Sequence, residues 1–284
     1  MLYLVLLVLF FQSHLTFADI NENLERKKIA ITIDDVPMPS GQLFSGMERS
    51  RRIINTLKDF KVDRVGLFIV GGNLLKDQGE KRLNMYDKAG HMISNHTYSH
   101  PSCSKVSAED FIKNIYKCHK IIKKYNNFQH FFRYPYLDVC KGKDKKSKVR
   151  NALENMGYKN AYVTIDTLDY YINRLLQEAL QNNQIINYDE LKKLYLEITF
   201  ECITSYSEEL KHNIGHHPIH NLLLHENDIN ALYLGDIITF LRQNGWEIVS
   251  PEEALVDQKA YNTNIDLRTK IAYIKNAFEN NVIN

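Results

Sequence analysis

The sequence has little net charge of either sign: 36 Lys and Arg face 34 Asp and Glu in 284 residues, a formal charge of +2. A chain that lives on phosphate backbones carries a basic excess, so no nucleic-acid partner is expected here. Cysteine is scarce too. Cys103, Cys118, Cys140 and Cys202 form no CxxC or zinc-knuckle pair, which excludes a structural Cys-type zinc site, and a chain of this length needs no disulfides to hold its core. No linker or internal repeat divides the chain. With 44% hydrophobic residues, enough apolar mass is present to bury a core, which excludes a disordered or solvating protein.

Residues 2–11 (LYLVLLVLFF) form an unbroken apolar run, short of the roughly 20 residues that span a bilayer as a helix. With Ala18 before Asp19, the segment reads as a secretory signal peptide cleaved after Ala18, with the terminal amine as its only positive charge. Residues 19–284 then form one domain, secreted, periplasmic or held in the cell envelope, with no stable membrane insertion after cleavage.

Along the chain, strand patterns alternate with helix patterns. Strands are expected at Lys28–Ile33, Val62–Val70, His91–Ser94, Phe131–Tyr134, Ala161–Ile165, Leu222–Leu224 and Glu247–Val249, from β-branched and apolar runs bounded by Gly, Pro or polar residues. Helices are expected at 47–60, 79–88, 107–125, 147–156, 175–210 with a break near 183–187, 229–244 and 265–279. Ser107 and Asp110 give the third of these a capping signature. The lysine-rich Lys141–Lys148 reads as a solvated loop. This alternation implies an α/β fold, a distorted (β/α) barrel of about seven parallel strands.

Polar clusters fall where functional groups gather in such barrels, at the C-terminal ends of strands. Asp34 and Asp35 follow the first strand; one carboxylate can bind a cation while the other takes a proton, or the pair is a turn with a helix cap. His96 and His100 can converge on one cation if residues 96–100 form a helical turn, though this spacing also occurs by chance. Arg133-Tyr134-Pro135-Tyr136 offers a guanidinium for a carboxylate and a backbone N–H for an oxyanion, or else a surface salt bridge. Asp166 and Asp169 follow another strand and can orient Arg133 or a histidine. His225 ends the apolar Leu222-Leu223-Leu224, as an active group or a satisfied core histidine.

Taken in order, Thr32-Ile33-Asp34-Asp35, His96-x-x-x-His100, Arg133-x-Pro135-Tyr136, Asp166-x-x-Asp169-Tyr170 and Leu222-x-x-His225 resemble the five motifs of the polysaccharide deacetylases, carbohydrate esterase family 4 or the NodB homology domain. The likeness runs from about Lys28 to Leu255. It implies the NodB-type barrel and a hydrolase acting on carbon–nitrogen bonds other than peptide bonds. The activity implied is removal of N-acetyl groups from N-acetylglucosamine-containing polysaccharide, peptidoglycan or chitin-like, with release of acetate. By position it implies a divalent cation on Asp35, His96 and His100, with Zn2+ expected and Co2+, Mn2+ or Ni2+ as alternatives. It also implies Asp34 as general base, Arg133 as its orienting partner, the Tyr136 N–H as oxyanion donor, Asp169 pairing with Arg133 or supporting the acid, and His225 as general acid. Pro135, Tyr136, Tyr170 and Leu222 would border the acetylated glycan.

The sequence departs from the family pattern in three places. Val36 stands where many members have Gly, and Tyr170 where Trp is frequent. About 50 residues separate Tyr170 from His225, giving a helical insertion at about 171–218 that is expected to border the groove. His212, His216 and His217 in this stretch read as solvated, whereas His220 is placed near the site. Cys103 and Cys140 each lie just beyond a motif, so a disulfide between them would tie two site loops. Asn95-His96-Thr97 spells a glycosylation sequon, discounted because a glycan would block His96. Rival readings are an O-acetyl esterase on glycan, an amidohydrolase on a small amide, a non-haem iron oxygenase and a catalytically dead glycan-binding module.

Overall fold

The structure is a computed structural model that describes residues 27–256 and 266–283. The expected signal peptide at 1–18 lies outside these residues. Strand β1 (Lys27–Val36) is central, and its apolar Ile29, Ile31 and Ile33 are fully buried. Its parallel partners are β2 (Gly66–Ile69) and β7 (His220–His225), while the short β8 (Trp246–Ile248) pairs with its N-terminal end. Outward from β2 follow β3 (Met92–Asn95), β4 (Phe128–Phe132) and β5 (Lys159–Asn160); beyond β7 lies β6 (Ile165–Asp166). The seven-strand path runs β5-β4-β3-β2-β1-β7-β6, all parallel. This curled, incomplete barrel is the expected NodB-type fold, with β8 added beside β1.

The single strand expected at Ala161–Ile165 is instead two, β5 and β6, at opposite ends of the sheet. Residues 161–164 carry the chain between them: Ala161 donates to Phe132 O and Thr164 to Asn221 O, so each end of this connection bonds to a different strand. Val62–Val65, read as strand, precedes β2 and is not itself strand, although Val62 and Val65 are buried and Val65 O accepts from Met92 N at the start of β3 at 3.0 Å.

Between the strands lie α1 (Gly46–Asp59), α2 (Gly79–Lys88), α3 (Ala108–Ile122), α4 (Lys143–Asn155), α5 (Asp169–Gln181), α6 (Tyr188–Ile214), α7 (Asp228–Gln243), α8 (Pro251–Leu255) and α9 (Leu267–Ala277). Ser107 caps α3 by accepting from Asp110 N, as its sequence signature requires. Lys143–Lys148, expected as loop, forms the first turns of α4, whose apolar stripe supplies only Val149 and Leu153 to the core. A stripe so narrow at a polar start is easily missed.

The insertion does not border the groove. Helix α6 buries Leu191, Leu194, Tyr195, Ile198, Cys202 and Ile203 in the main core, so it covers the sheet rather than lining the cleft. Among the described residues, no helix is long and apolar enough to cross a membrane. Cys103 and Cys140 form a disulfide, while Cys118 and Cys202 are buried free thiols.

Candidate functional site

A cleft of about 280 Å3 opens at the C-terminal ends of the strands, lined by Asp34, Asp35, His96, His100, Tyr136, Leu137, Asp166, Tyr170, Leu223 and His225. Adjacent residues of a regular strand face opposite sides, yet Asp34 and Asp35 both reach this cleft. The β1–β2 register slips between Ile33 and Val36, and Asp35 takes φ +65°. Such an irregularity re-aims one side chain, sending Asp34 inward while Asp35 turns toward the histidines.

His96 and His100 do converge, but not on a helical turn. Thr97 and His100 hold positive φ in an irregular loop, a conformation of the kind that persists only when its surroundings enforce it. Here Asn95 Oδ1 accepts from Thr97 N at 2.8 Å, Thr97 Oγ1 from His100 N at 3.0 Å, and Asn114 Oδ1 from both Tyr98 N and Ser99 N at 2.8 Å. Asn95 is fully buried, donating to Ile115 O and Tyr158, so the sequon residue is a structural support of the loop.

The three ligand atoms of Asp35, His96 and His100 lie within 4.8 Å of one another. His100 Nε2 stands 3.2 Å from His96 Nε2 and 3.1 Å from Asp35 Oδ1. Asp35 Oδ1 is buried and has no hydrogen-bond partner. His96 Nδ1 lies 2.7 Å from the Arg133 carbonyl oxygen; as only a protonated nitrogen can serve that acceptor, Nε2 is left with its lone pair toward the group. Burial lowers the pKa of both imidazoles, strongly for His96. Two neutral imidazoles and an orphaned carboxylate oxygen facing one point suit a divalent cation with positions left for water and substrate.

Behind this group lies the buried Arg133, whose Nη1 reaches Asp34 Oδ1 at 3.1 Å and Oδ2 at 3.3 Å. Its Nε donates to Ala161 O and its Nη2 to Thr32 Oγ1, and its guanidinium stacks over Phe68. Burial raises Asp34 to about 6, against the opposing pull of Arg133 and His225. Asp169 does not touch Arg133; its Oδ1 meets His225 Nδ1 at 2.8 Å. Burial would lower His225, but Asp169 overrides it and raises the imidazole to about 10.

Tyr136 sits at the cleft mouth with φ +57° and its side chain 70% exposed. Tyr170, 43% exposed, packs edge-on to His225. Two expected glycan-bordering residues do not line the cleft. Leu222 is fully buried in the core, because alternation along β7 turns Leu223 and His225 to the cleft and Leu222 and Leu224 away. Pro135 is buried in its turn. His220 is also remote from the cleft: fully buried against Trp246, with burial lowering it to about 3.

Sequence reading missed Glu226, which immediately follows His225. It is fully buried, and its oxygens accept from Met38 N (2.7 Å), Arg82 Nη2 (2.8 Å), Ser50 Oγ (2.6 Å) and Tyr86 (2.9 Å). Beside it, Arg49 pairs with Asp228 at 2.7 Å and donates to Met38 O and Pro39 O. Together these buried pairs fasten the segment after Asp35 to the end of β7. A charged residue following a site histidine was the available signal.

The family model for polysaccharide deacetylase matches residues 21–161, which include the first three motifs. The peptidoglycan-N-acetylglucosamine deacetylase of Bacillus cereus is 27% identical over 149 residues, 51% of this chain and 47% of that one. The peptidoglycan-N-acetylmuramic acid deacetylase PdaA of Bacillus subtilis is 23% identical over 73% of this chain and 66% of its own. The chain thus spans less than two thirds of the length of either relative. Among solved structures, a carbohydrate esterase family 4 pseudoenzyme from Bacillus anthracis superposes with a TM-score of 0.58 at 19% identity, covering 83% of this chain and 67% of that one.

Proposed function

Because the chain belongs to the polysaccharide deacetylase family, we propose that it is a metal-dependent hydrolase that removes N-acetyl groups from N-acetylglucosamine-containing polysaccharide, peptidoglycan or chitin-like. The observation that carries this reading is the side-by-side pair Asp34 and Asp35, one held by Arg133 and the other orphaned between two neutral imidazoles. Asp35, His96 and His100 would hold the divalent cation, Zn2+ first among candidates. Bound there, it supplies Lewis acidity that polarises the acetyl carbonyl and makes a water more acidic.

The chain's own residues do the rest. Asp34, ionised above about pH 6, accepts the proton of the attacking water, and Arg133 keeps its carboxylate aimed. The Tyr136 N–H faces the developing oxyanion, a donor of a kind worth about 3 kcal/mol. His225, kept protonated by Asp169, delivers a proton to the departing amine, leaving an amino sugar and acetate. Tyr170 and Leu223 form walls for the sugar. The proposed organisation is a signal peptide at 1–18 followed by one deacetylase domain at 19–284, acting outside the cytoplasm, with the insertion at about 171–218 serving the core.

The test is acetate release by the metal-reconstituted protein on matched N-acetyl and O-acetyl oligosaccharides. Release from the N-acetyl substrate, abolished in Asp34→Asn while bound metal and thermal unfolding persist, supports the reading. Turnover retained in Asp34→Asn rejects that residue as base, and release from O-acetyl substrates alone makes the protein an esterase.

A further inference from the structure

Helix α6 belongs to the insertion and carries none of the five motifs, yet one of its side chains reaches the residues that hold His225. Tyr195 is fully buried, and its hydroxyl donates to Asn230 Oδ1 at 2.5 Å. Asn230 lies in the first turn of α7 and is buried as well. The other end of its amide serves the site: Nδ2 donates to Asp169 Oδ2 at 2.6 Å and to the His225 carbonyl oxygen at 2.9 Å. Asp169 in turn holds the His225 ring through Oδ1. An unbroken row of hydrogen bonds thus runs from the insertion through Tyr195, Asn230 and Asp169 to the imidazole.

The row has a fixed direction. Two acceptors, a carboxylate and a carbonyl, face Nδ2, so the amide oxygen must point toward α6, where Tyr195 supplies its donor. Burial first, and the Asp169 charge second, hold the Tyr195 phenol well above its usual range, so it keeps the proton that it donates. Asp169 Oδ2 has a second amide, Asn227 Nδ2 at 2.9 Å, but the two amides are held differently. Asn227 Oδ1 caps α7 by accepting from Asn230 N, so the helix itself pins that amide. Among the described residues, Asn230 Oδ1 takes its hydrogen bond from Tyr195 alone. A buried amide oxygen that loses its donor carries the full desolvation penalty, and the amide turns to relieve it, loosening its hold on Asp169.

We propose that Tyr195 is a positioning residue for the proton donor His225, acting through Asn230 and Asp169, so that the insertion sets the geometry of the acid as well as completing the core. The assignment rests on the deacetylase reading above for the role of His225. Its consequence falls on kcat. A misaimed acid affects protonation of the departing amine, an interaction made in the transition state, and leaves the contacts to bound substrate and cation as they were.

The experiment uses the full chain loaded with Zn2+ and its Tyr195→Phe variant, which keeps the ring beside Tyr233 and removes only the hydroxyl. On an N-acetylated oligosaccharide, kcat for acetate release is expected to fall about tenfold, within the range seen for lost orienting contacts, with KM and chelator competition for Zn2+ unchanged. Ile198→Val trims the same helix in the core without touching the row, and it should keep kcat at temperatures below its Tm. Because Tyr195 acts through Asn230, Tyr195→Phe should add nothing to the loss already made by Asn230→Ala.

A second readout needs no turnover. The Nδ1–H proton of His225, identified in 15N-histidine-labelled protein by its loss in His225→Gln, should shift or broaden in Tyr195→Phe and stay in place in Ile198→Val. The assignment is overturned, with the deacetylase reading intact, by an unchanged kcat in Tyr195→Phe, an equal loss in Ile198→Val, or losses that multiply with Asn230→Ala. It is also overturned by a His225 signal that is absent from the unaltered protein or identical in Tyr195→Phe. If no acetate is released from any substrate yet the His225 signal answers to Tyr195, the positioning of His225 stands and the deacetylase reading falls.

Discussion

Asp169 grips His225 through both carboxylate oxygens: Oδ1 lies 2.8 Å from the imidazole Nδ1, and Oδ2 accepts the His225 backbone N–H at 2.8 Å. Oδ2 also takes donors from Asn227 and Asn230. The carboxylate is thus fixed in place before it acts on the ring, and it carries the imidazole to about 10 while burial lifts Asp34 only to about 6.

A pH–rate profile follows from these two values. A base works when deprotonated, so kcat/KM should rise as pH climbs through about 6 or below, since a cation on Asp35 favours the ionised form of its neighbour. An acid works when protonated, so the rate should fall as pH passes about 10. Asp169→Asn removes the charge that opposes burial, and its alkaline limb should move down by several units. A limb that stays in place in this variant would show that His225 is not the acid.

Arg133→Met leaves Asp34 buried without its guanidinium. Breaking one side of a buried pair costs about 3–5 kcal/mol, so Tm should drop. With the lowering influence of Arg133 gone, the acid limb of the profile should move above pH 6. Arg133→Lys keeps the charge but cannot serve Asp34, Thr32 and Ala161 O together. Its expected outcome is a smaller pH shift with lost rate. An unmoved acid limb in Arg133→Met would dissociate Arg133 from Asp34.

Much of the site is legible because its members sit at strand ends that local pattern marks. The apolar run before Asp34 and the one before His225 announce their strands, and Ser107 announces its helix. What was not legible depends on pairing between distant segments. Nothing near His96 says that Asn95 and Asn114 hold its loop in a positive-φ path, so a helical turn was the simpler inference for residues 96–100. Leu222 and Leu223 are indistinguishable until the register of β7 on β1 decides which one faces the cleft. Ala161–Ile165 reads as one strand because its residues suit a strand, whereas the sheet needs them as the crossing between its ends.

Glu226 illustrates the same limit and carries a prediction. Its four donors come from residues 38, 50, 82 and 86, none near it in sequence. Glu226→Gln keeps the shape but leaves the fully buried Arg82 without its carboxylate. A loss of about 3–5 kcal/mol in unfolding free energy is expected, measured by denaturant titration. Arg82→Met alone should cost a similar amount. The double variant Glu226→Gln with Arg82→Met should cost less than the sum of the two, because no lone charge remains. Simple additivity would refute the coupling.

The last prediction concerns the clamp between the two loops that flank the candidate cation site. Asp138 accepts from Ser102 Oγ at 2.6 Å, Ser104 N at 2.7 Å and Ser104 Oγ at 2.6 Å, and from Cys140 N at 3.2 Å. The Cys103–Cys140 disulfide joins the same two segments, so the chain after His100 is tied to the chain after Tyr136 by both a covalent link and a carboxylate. Groups that orient ligands from behind typically change metal affinity or activity by about 10- to 100-fold when lost. Asp138→Ala, or thiol reduction of the disulfide, should therefore weaken cation binding in competition with a chelator and lower kcat, while Asp138→Asn, which retains one acceptor oxygen, should fall between. His100 explains the direction: its positive-φ backbone relaxes once the segment two residues on is released, and the ring leaves Asp35. Unchanged chelator competition in the reduced protein and in Asp138→Ala would mean that Asn95 and Asn114 hold the loop without help from this side.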